Sequence, residues 1–224
     1  MEQVHLSVCM SLDGHIDALG CRPLVLSSEE DCHDMHALRA ECDAILVGAA
    51  TARRDQPRLT VRYEELLHRR RERGLPDHPL KVVVTHTGAL DPASGFFTCG
   101  GDRVVLCNEH VLADTRDRLG RVATVMGLDH GSGAPGILAR LSTLGVRRLL
   151  VEGGSQILTQ FLAAGAFHHL RMAIAPFLVG QEAAPRLAGP GLFPHGPDNR
   201  LEIRSTRLLG NICVIDMHNP APRL

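Results

Sequence analysis

Short apolar runs rich in valine, isoleucine and leucine return along this chain with amphipathic segments between them, and that alternation restricts the fold more than any other feature. Runs at 4–10, 44–47, 81–85, 103–107, 122–126, 148–151 and 170–174 read as strands, and two more follow at 201–208 and 212–216. A near-continuous run such as Ala44-Ile45-Leu46-Val47 suits a strand buried on both faces, as in a parallel sheet covered by helices. The last two runs, separated by Leu209-Gly210-Asn211, read as an antiparallel hairpin. The expected class is therefore α/β: a mixed, mostly parallel central sheet flanked by helices and closed by a C-terminal hairpin. With 224 residues and no internal repeat, against roughly 100–200 residues per domain, a single domain over 1–224 is expected.

Two helices are well signalled. Ser27-Ser28-Glu29-Glu30 offers an N-cap with Glu30 three residues after Ser27, and Met35, Leu38 and Cys42 follow at helical spacing. Ser155–Ala164 places Ile157, Leu158, Phe161 and Leu162 on one face. The basic run HRRRERGLPDH at 68–78 reads as a solvated helix end and surface loop, and the Gly- and Pro-rich stretch 180–199 as a long surface connection.

Charge and composition remove several function classes. Lysine plus arginine number 24 against 25 acidic residues, so no positive field favours nucleic acid. No apolar run approaches the ~18 residues that span a bilayer, and MEQVHLSVCM has no basic leader, so a cytoplasmic protein without membrane partners is expected. The seven scattered cysteines read as reduced thiols rather than a disulfide framework. Neither HExxH nor CxxC occurs, and Cys32 with His36 is one ligand pair, so no metal site is expected.

The chemistry is written at strand ends. In LLVEGGSQIL, at 149–158, a buried strand runs through Gly153 and Gly154 directly into a helix, leaving the first helical N–H groups open to an anion. Ligand-free strand-to-helix turns use the same residues. Glu152 adds to the case, because a carboxylate at the end of an apolar strand is expensive unless something pairs with it. A second strand ends in Gly48-Ala49-Ala50-Thr51, with Thr51 and Asp55 one helical turn apart, Pro57 as a stop, and Arg58 and Arg62 beyond. Arg53 and Arg54 read as surface ion-pair residues. The first strand ends in Ser11-Leu12-Asp13-Gly14, which reads as a turn.

These stretches together, SLDG at 11–14, DAILVGAAT at 43–51, DxPxLxxR at 55–62, EGG at 152–154 and APxxxG at 175–180, resemble the reductase domain of riboflavin biosynthesis, in the dihydrofolate-reductase-like superfamily. The chain starts at the first reductase strand and is similar to the stand-alone form, without the zinc deaminase domain that precedes it in the bifunctional form. The resemblance implies that Thr51, Asp55, Gly153, Gly154, Ser155, Gln156 and Ile157 hold NADPH. It implies equally that Arg39, Leu59, Arg62 and Glu152 touch a phosphorylated ribosylaminopyrimidine, whose C1′ accepts a hydride, and that the protein is a homodimer. No catalytic acid is assigned. Family members often carry Ser-x-Trp where this chain has Pro23 and Val25, and tryptophan is absent throughout. Another pyrimidine, a pterin- or folate-like substrate on the same scaffold, or a non-catalytic nucleotide-binding role therefore stays open from the sequence.

Overall fold

The computed structural model of the chain describes residues 1–20 and 24–224; Cys21 and Pro23 lie outside the described residues. In chain order the elements are β1 (Gln3–Ser11), α1 (Glu29–Glu41), β2 (Ala44–Gly48), α2 (Ala49–Asp55), α3 (Glu64–Glu72), β3 (Leu80–Thr85), α4 (Gly95–Thr98) and β4 (Arg103–Asn108). There follow α5 (Leu112–Leu119), β5 (Thr124–Leu128), α6 (Gly133–Thr143), β6 (Arg148–Gly153), α7 (Ser155–Ala164), β7 (His169–Ala175), β8 (Glu202–Leu209) and β9 (Ile212–His218).

The strands form one sheet in the order β5-β4-β3-β2-β6-β1-β7-β9-β8. Neighbours from β5 through β7 are parallel, and β9 pairs antiparallel with both β7 and β8, which is the mixed sheet and terminal hairpin expected from the sequence. All of β2 is buried, because each face of the sheet carries helices. On one face Leu6, Leu46, Val82 and Val151 pack against Leu138, Leu141, Leu158 and Phe161 of α6 and α7. On the other, Ile45, Val83, Val105 and Leu150 pack with Ala52 of α2, Leu119 of α5 and the half-buried Met35 and Leu38 of α1. The hairpin turns at Gly210, whose φ of +58° lies in the region that favours glycine.

Three local readings are corrected. The cap of α1 is Ser28, which accepts from the Asp31 N–H at 3.2 Å, one residue later than Ser27. The fifth strand begins at Thr124 rather than 122, because the amides of Val122 and Ala123 still bond to the Leu119 carbonyl at the end of α5. The basic run is only partly solvated. Its Arg70 is 1% exposed and donates to the carbonyls of Pro76, Ala40 and Cys42 at 2.7, 2.9 and 2.8 Å, tying the ends of α1 and α3 together. Burial lowers the Arg70 pKa, with Arg73 acting in the same direction. Residues 180–199 form a connection free of helix and strand, as expected. Asp13 fastens its start, accepting from Ser11 Oγ and from the amides of Val179 and Gly180 at 2.5, 3.1 and 2.7 Å.

Candidate active site

A cleft of about 810 Å³ opens over the C-terminal ends of β2, β3 and β6, and continues along β1 and β7 under α1. Its first half is built by two helix starts. Neither Gly48, the N-cap of α2, nor Gly154, the N-cap of α7, brings a side-chain hydrogen bond to its helix, so the leading amides of α7 are left to face a ligand. The two starts are close. A Cβ on Gly154 would stand 2.9 Å from Thr51 Oγ1, and one on Gly48 would stand 3.0 Å from Ile157 Cγ1. Gly153 takes φ +113°, a conformation that β-carbons resist, and the Gly153–Gly154 peptide is cis.

Thr51, Asp55, Gly154, Ser155, Gln156 and Ile157 all line this cleft, while Gly153 lies behind its wall. Burial raises the Asp55 pKa, the nearby Asp17 adds to the rise, and Arg54 opposes it. Arg54 pairs with Asp17 at 2.8 Å and donates to the Ala18 carbonyl at 2.6 Å, fastening the loop after β1 across α2. The ion pair expected of Arg54 is present. Arg53 instead donates to a backbone carbonyl, that of Ala89, at 3.2 Å.

Glu152, at the end of β6, has its pairing partner in Arg39 of α1. The guanidinium gives two parallel bonds, Nε to Oε1 at 2.6 Å and Nη2 to Oε2 at 2.7 Å, with a third from Nη1 to the Thr60 carbonyl at 3.3 Å. Both side chains are mostly buried, and although burial opposes charge, the Glu152 carboxylate raises the Arg39 pKa overall. Of the four residues assigned to substrate, only Glu152 lines the cleft. Arg39 stands behind it, Leu59 is 2% exposed in the core with φ +49°, and Arg62 is exposed on the loop after α2. Val25, which the sequence reading sets against a family tryptophan, is 82% exposed.

The second half of the cleft was not read from the sequence. It holds Ser7, Cys9, Asp31, Met35 and Arg171. Arg171 Nη2 meets Asp31 Oδ1 at 2.5 Å and Asp34 Oδ2 at 2.8 Å, and its Nε donates to Asp34 at 2.9 Å. The available signal was an arginine inside the apolar run of β7, a charge that is costly to bury unless acceptors, carboxylates above all, pair with it.

A mostly parallel sheet with helices on both faces, an antiparallel C-terminal hairpin and a cleft over its strand ends defines an α/β domain with the dihydrofolate-reductase-like fold. The chain belongs to the family described as the RibD C-terminal domain, which matches residues 2–215. It is 31% identical over 218 residues to the 2,5-diamino-6-ribosylamino-4(3H)-pyrimidinone 5′-phosphate reductase of Methanothermobacter thermautotrophicus, covering 95% of this chain and 96% of that one. The protein of the same name from Archaeoglobus fulgidus is 32% identical over 184 residues, or 81% and 84% of the two chains. Among solved structures, a pyrimidine reductase-like protein from Corynebacterium diphtheriae superposes with a TM-score of 0.82 at 18% identity, over 97% of this chain and 91% of that one.

Proposed function

We propose that this chain is an oxidoreductase that converts a phosphorylated ribosylaminopyrimidine to its ribitylamino product, using NADPH. The observation that carries the reading is the convergence of the α2 and α7 starts on one cleft, with Glu152 presented between that cradle and the β1–β7 half. The relatives named as pyrimidinone phosphate reductases match over 95% and 81% of this chain, which supports the substrate class.

The residues fit a dinucleotide. At Gly154 a side chain would fill the gap to Thr51, so the cradle stays open only with glycine there. Ser155 and Gln156 would hold the diphosphate through their open backbone amides, at the turn that Gly153 and Gly154 form behind them; the Ile157 amide is taken by the Gly154 carbonyl at 3.0 Å, so that residue lines the cradle with its side chain, and Thr51 and Asp55 would hold the remainder of the coenzyme. When bound, the reduced nicotinamide supplies the hydride that C1′ of the sugar accepts. Arg39 fixes the Glu152 carboxylate in one orientation, so that it accepts a hydroxyl proton of the sugar as a hydrogen bond and holds the ribose in a single pose. With the Arg39 fork committed to Glu152, exposed Arg62 is the better partner for the substrate phosphate, and Leu59 supports the loop that carries it. The exposed strand β8 at the end of the sheet, with Ile203 and Leu208 64% and 72% exposed, would pair two chains into the homodimer.

The test is direct incubation with the diaminopyrimidinone ribosyl phosphate and either NADPH or NADH. Loss of reduced-nicotinamide absorbance together with a product heavier by two hydrogens supports the reading. A stable absorbance with saturating substrate and both coenzymes overturns it. Sedimentation at increasing concentration checks the dimer, and a single monomeric species throughout would remove it.

A further inference from the structure

We infer that the Asp31–Arg171 pair reads the edge of the pyrimidine ring and selects a 2-amino-4-oxopyrimidine over its 2-oxo counterpart, an inference that rests on the pyrimidine-reductase reading above.

The cleft is long enough for two ligands side by side. From β3 to β7 the sheet takes four strand steps, roughly 19 Å at about 4.8 Å per step. The coenzyme cradle occupies the β2–β3 side, through Gly48–Thr51 and Gly154–Ile157, and Glu152 closes β6 in the middle. What remains is the side under α1, where a charged pair stands among Met35, Leu26 and Cys9. Asp31 is 2% exposed and Arg171 6%. A buried pair of this kind rarely improves stability over apolar residues of similar volume, so its presence beside a cleft calls for a use.

The network divides the pair's capacity unequally. Asp34 is fully engaged: Arg207 gives it two hydrogen bonds at 2.6 and 3.1 Å, and Arg171 gives it a third at 2.9 Å. Burial works against its charge, but these arginines hold the Asp34 pKa below the ordinary value. Asp31 receives one bond, from Arg171 Nη2. A carboxylate has about four acceptor positions, so lone pairs of Asp31 remain for the cleft it lines. On Arg171 the contacts fall on Nε and Nη2, leaving the Nη1 donors uncommitted among the described residues.

An acceptor and a donor therefore stand side by side at the cleft floor. A 2-amino-4-oxopyrimidine presents the complementary edge. Its exocyclic amine and ring N–H donate to the carboxylate, and its 4-oxo group accepts from the guanidinium. In the 2-oxo ring the amine is replaced by a carbonyl oxygen, which faces the carboxylate as acceptor against acceptor. A site with buried polar groups of this kind rejects the mismatched analogue strongly, because its own groups are left unpaired.

The experiment compares kcat and KM for the 2-amino substrate and its 2-oxo counterpart, in wild type and in Asp31→Asn. The wild type is expected to favour the 2-amino substrate by at least about tenfold in kcat/KM. In Asp31→Asn, whose amide can donate to a 2-oxo group, that ratio is expected to fall about tenfold or more through KM, with coenzyme binding unchanged. Arg171→Lys keeps the cation but not the fork, and should weaken both substrates alike with their ratio intact. A wild type that turns over both substrates equally overturns the inference without any variant and leaves the proposed function standing, as does an Asp31→Asn ratio equal to wild type. A wild type that reduces neither substrate removes the proposed function, and this inference with it.

Discussion

Arg39 and Glu152, 113 positions apart in the chain, meet through two parallel hydrogen bonds at the seam between α1 and the end of β6. The pair is 15% and 12% exposed, so removing one partner leaves the other charge stranded away from water. Arg39→Ala should destabilise the fold by about 3 kcal/mol, read as a lower urea midpoint, and should lower kcat/KM for the pyrimidine as Glu152 loses its orientation. Glu152→Gln keeps the shape and some of the hydrogen bonding, and should cost less stability. Equal midpoints for wild type and Arg39→Ala would show that the pair does not carry the fold, and equal kcat/KM that it does not orient the site.

Gly154 tests the coenzyme cradle independently of substrate. Its φ is −74°, so alanine suits the backbone there, and the obstacle is the Thr51 hydroxyl 2.9 Å from the new Cβ. Gly154→Ala should weaken coenzyme binding by an order of magnitude or more with little change in melting temperature. Adding Thr51→Ala to the same chain removes the clash and should recover part of the loss. Calorimetric titration with the reduced dinucleotide measures both, and unaltered affinity in Gly154→Ala would place the diphosphate elsewhere.

What the sequence made legible follows its local periods. The bounds of α7 and most strand positions were readable because period and apolar run length report on burial within one element. The strand-to-helix turn through Gly153 and Gly154 was readable for the same reason, since strand, glycines and helix start are contiguous. The Asp31–Arg171 pair was not, because its partners lie 140 positions apart and only the parallel packing of β7 beside β1 under α1 brings them together. Arg70 was misread on similar grounds: a basic run looks solvated until the end of α1 folds over one of its members.

Arg70 predicts a separation of stability from activity. Its guanidinium satisfies three backbone carbonyls in a buried setting, far in role from the cleft it does not line. Arg70→Met should fill much of the same volume yet leave those carbonyls without a donor, at a cost of about 2–4 kcal/mol. Thermal melting should show the loss while kcat and KM at a temperature well below the transition stay within twofold of wild type. A melting temperature unchanged by the substitution would mean that water replaces the guanidinium without penalty.

Acid stability is set in part by a histidine row across three neighbouring strands. His5 on β1 stacks on His169 of β7 with ring centroids 4.7 Å apart, and His169 lies 5.3 Å from His218 of β9. Burial lowers the His5 pKa from 6.5 to about 4, with His169, His168 and Arg148 adding repulsion. His36, beneath Tyr63, is likewise lowered to about 4, by burial first and then by Arg39 and Arg62. Because these folded-state values lie below the unfolded one, the unfolded chain binds more protons between pH 6.5 and about 4. Stability is therefore complete above pH 6.5 and is lost as pH falls through that window, by at most about 1.4 kcal/mol per pH unit for each histidine. His5→Gln removes one such group. Its melting temperature should match wild type near pH 7.5 and exceed it near pH 5, and parallel curves for the two proteins across that range would rule out the histidine row as the origin of acid lability.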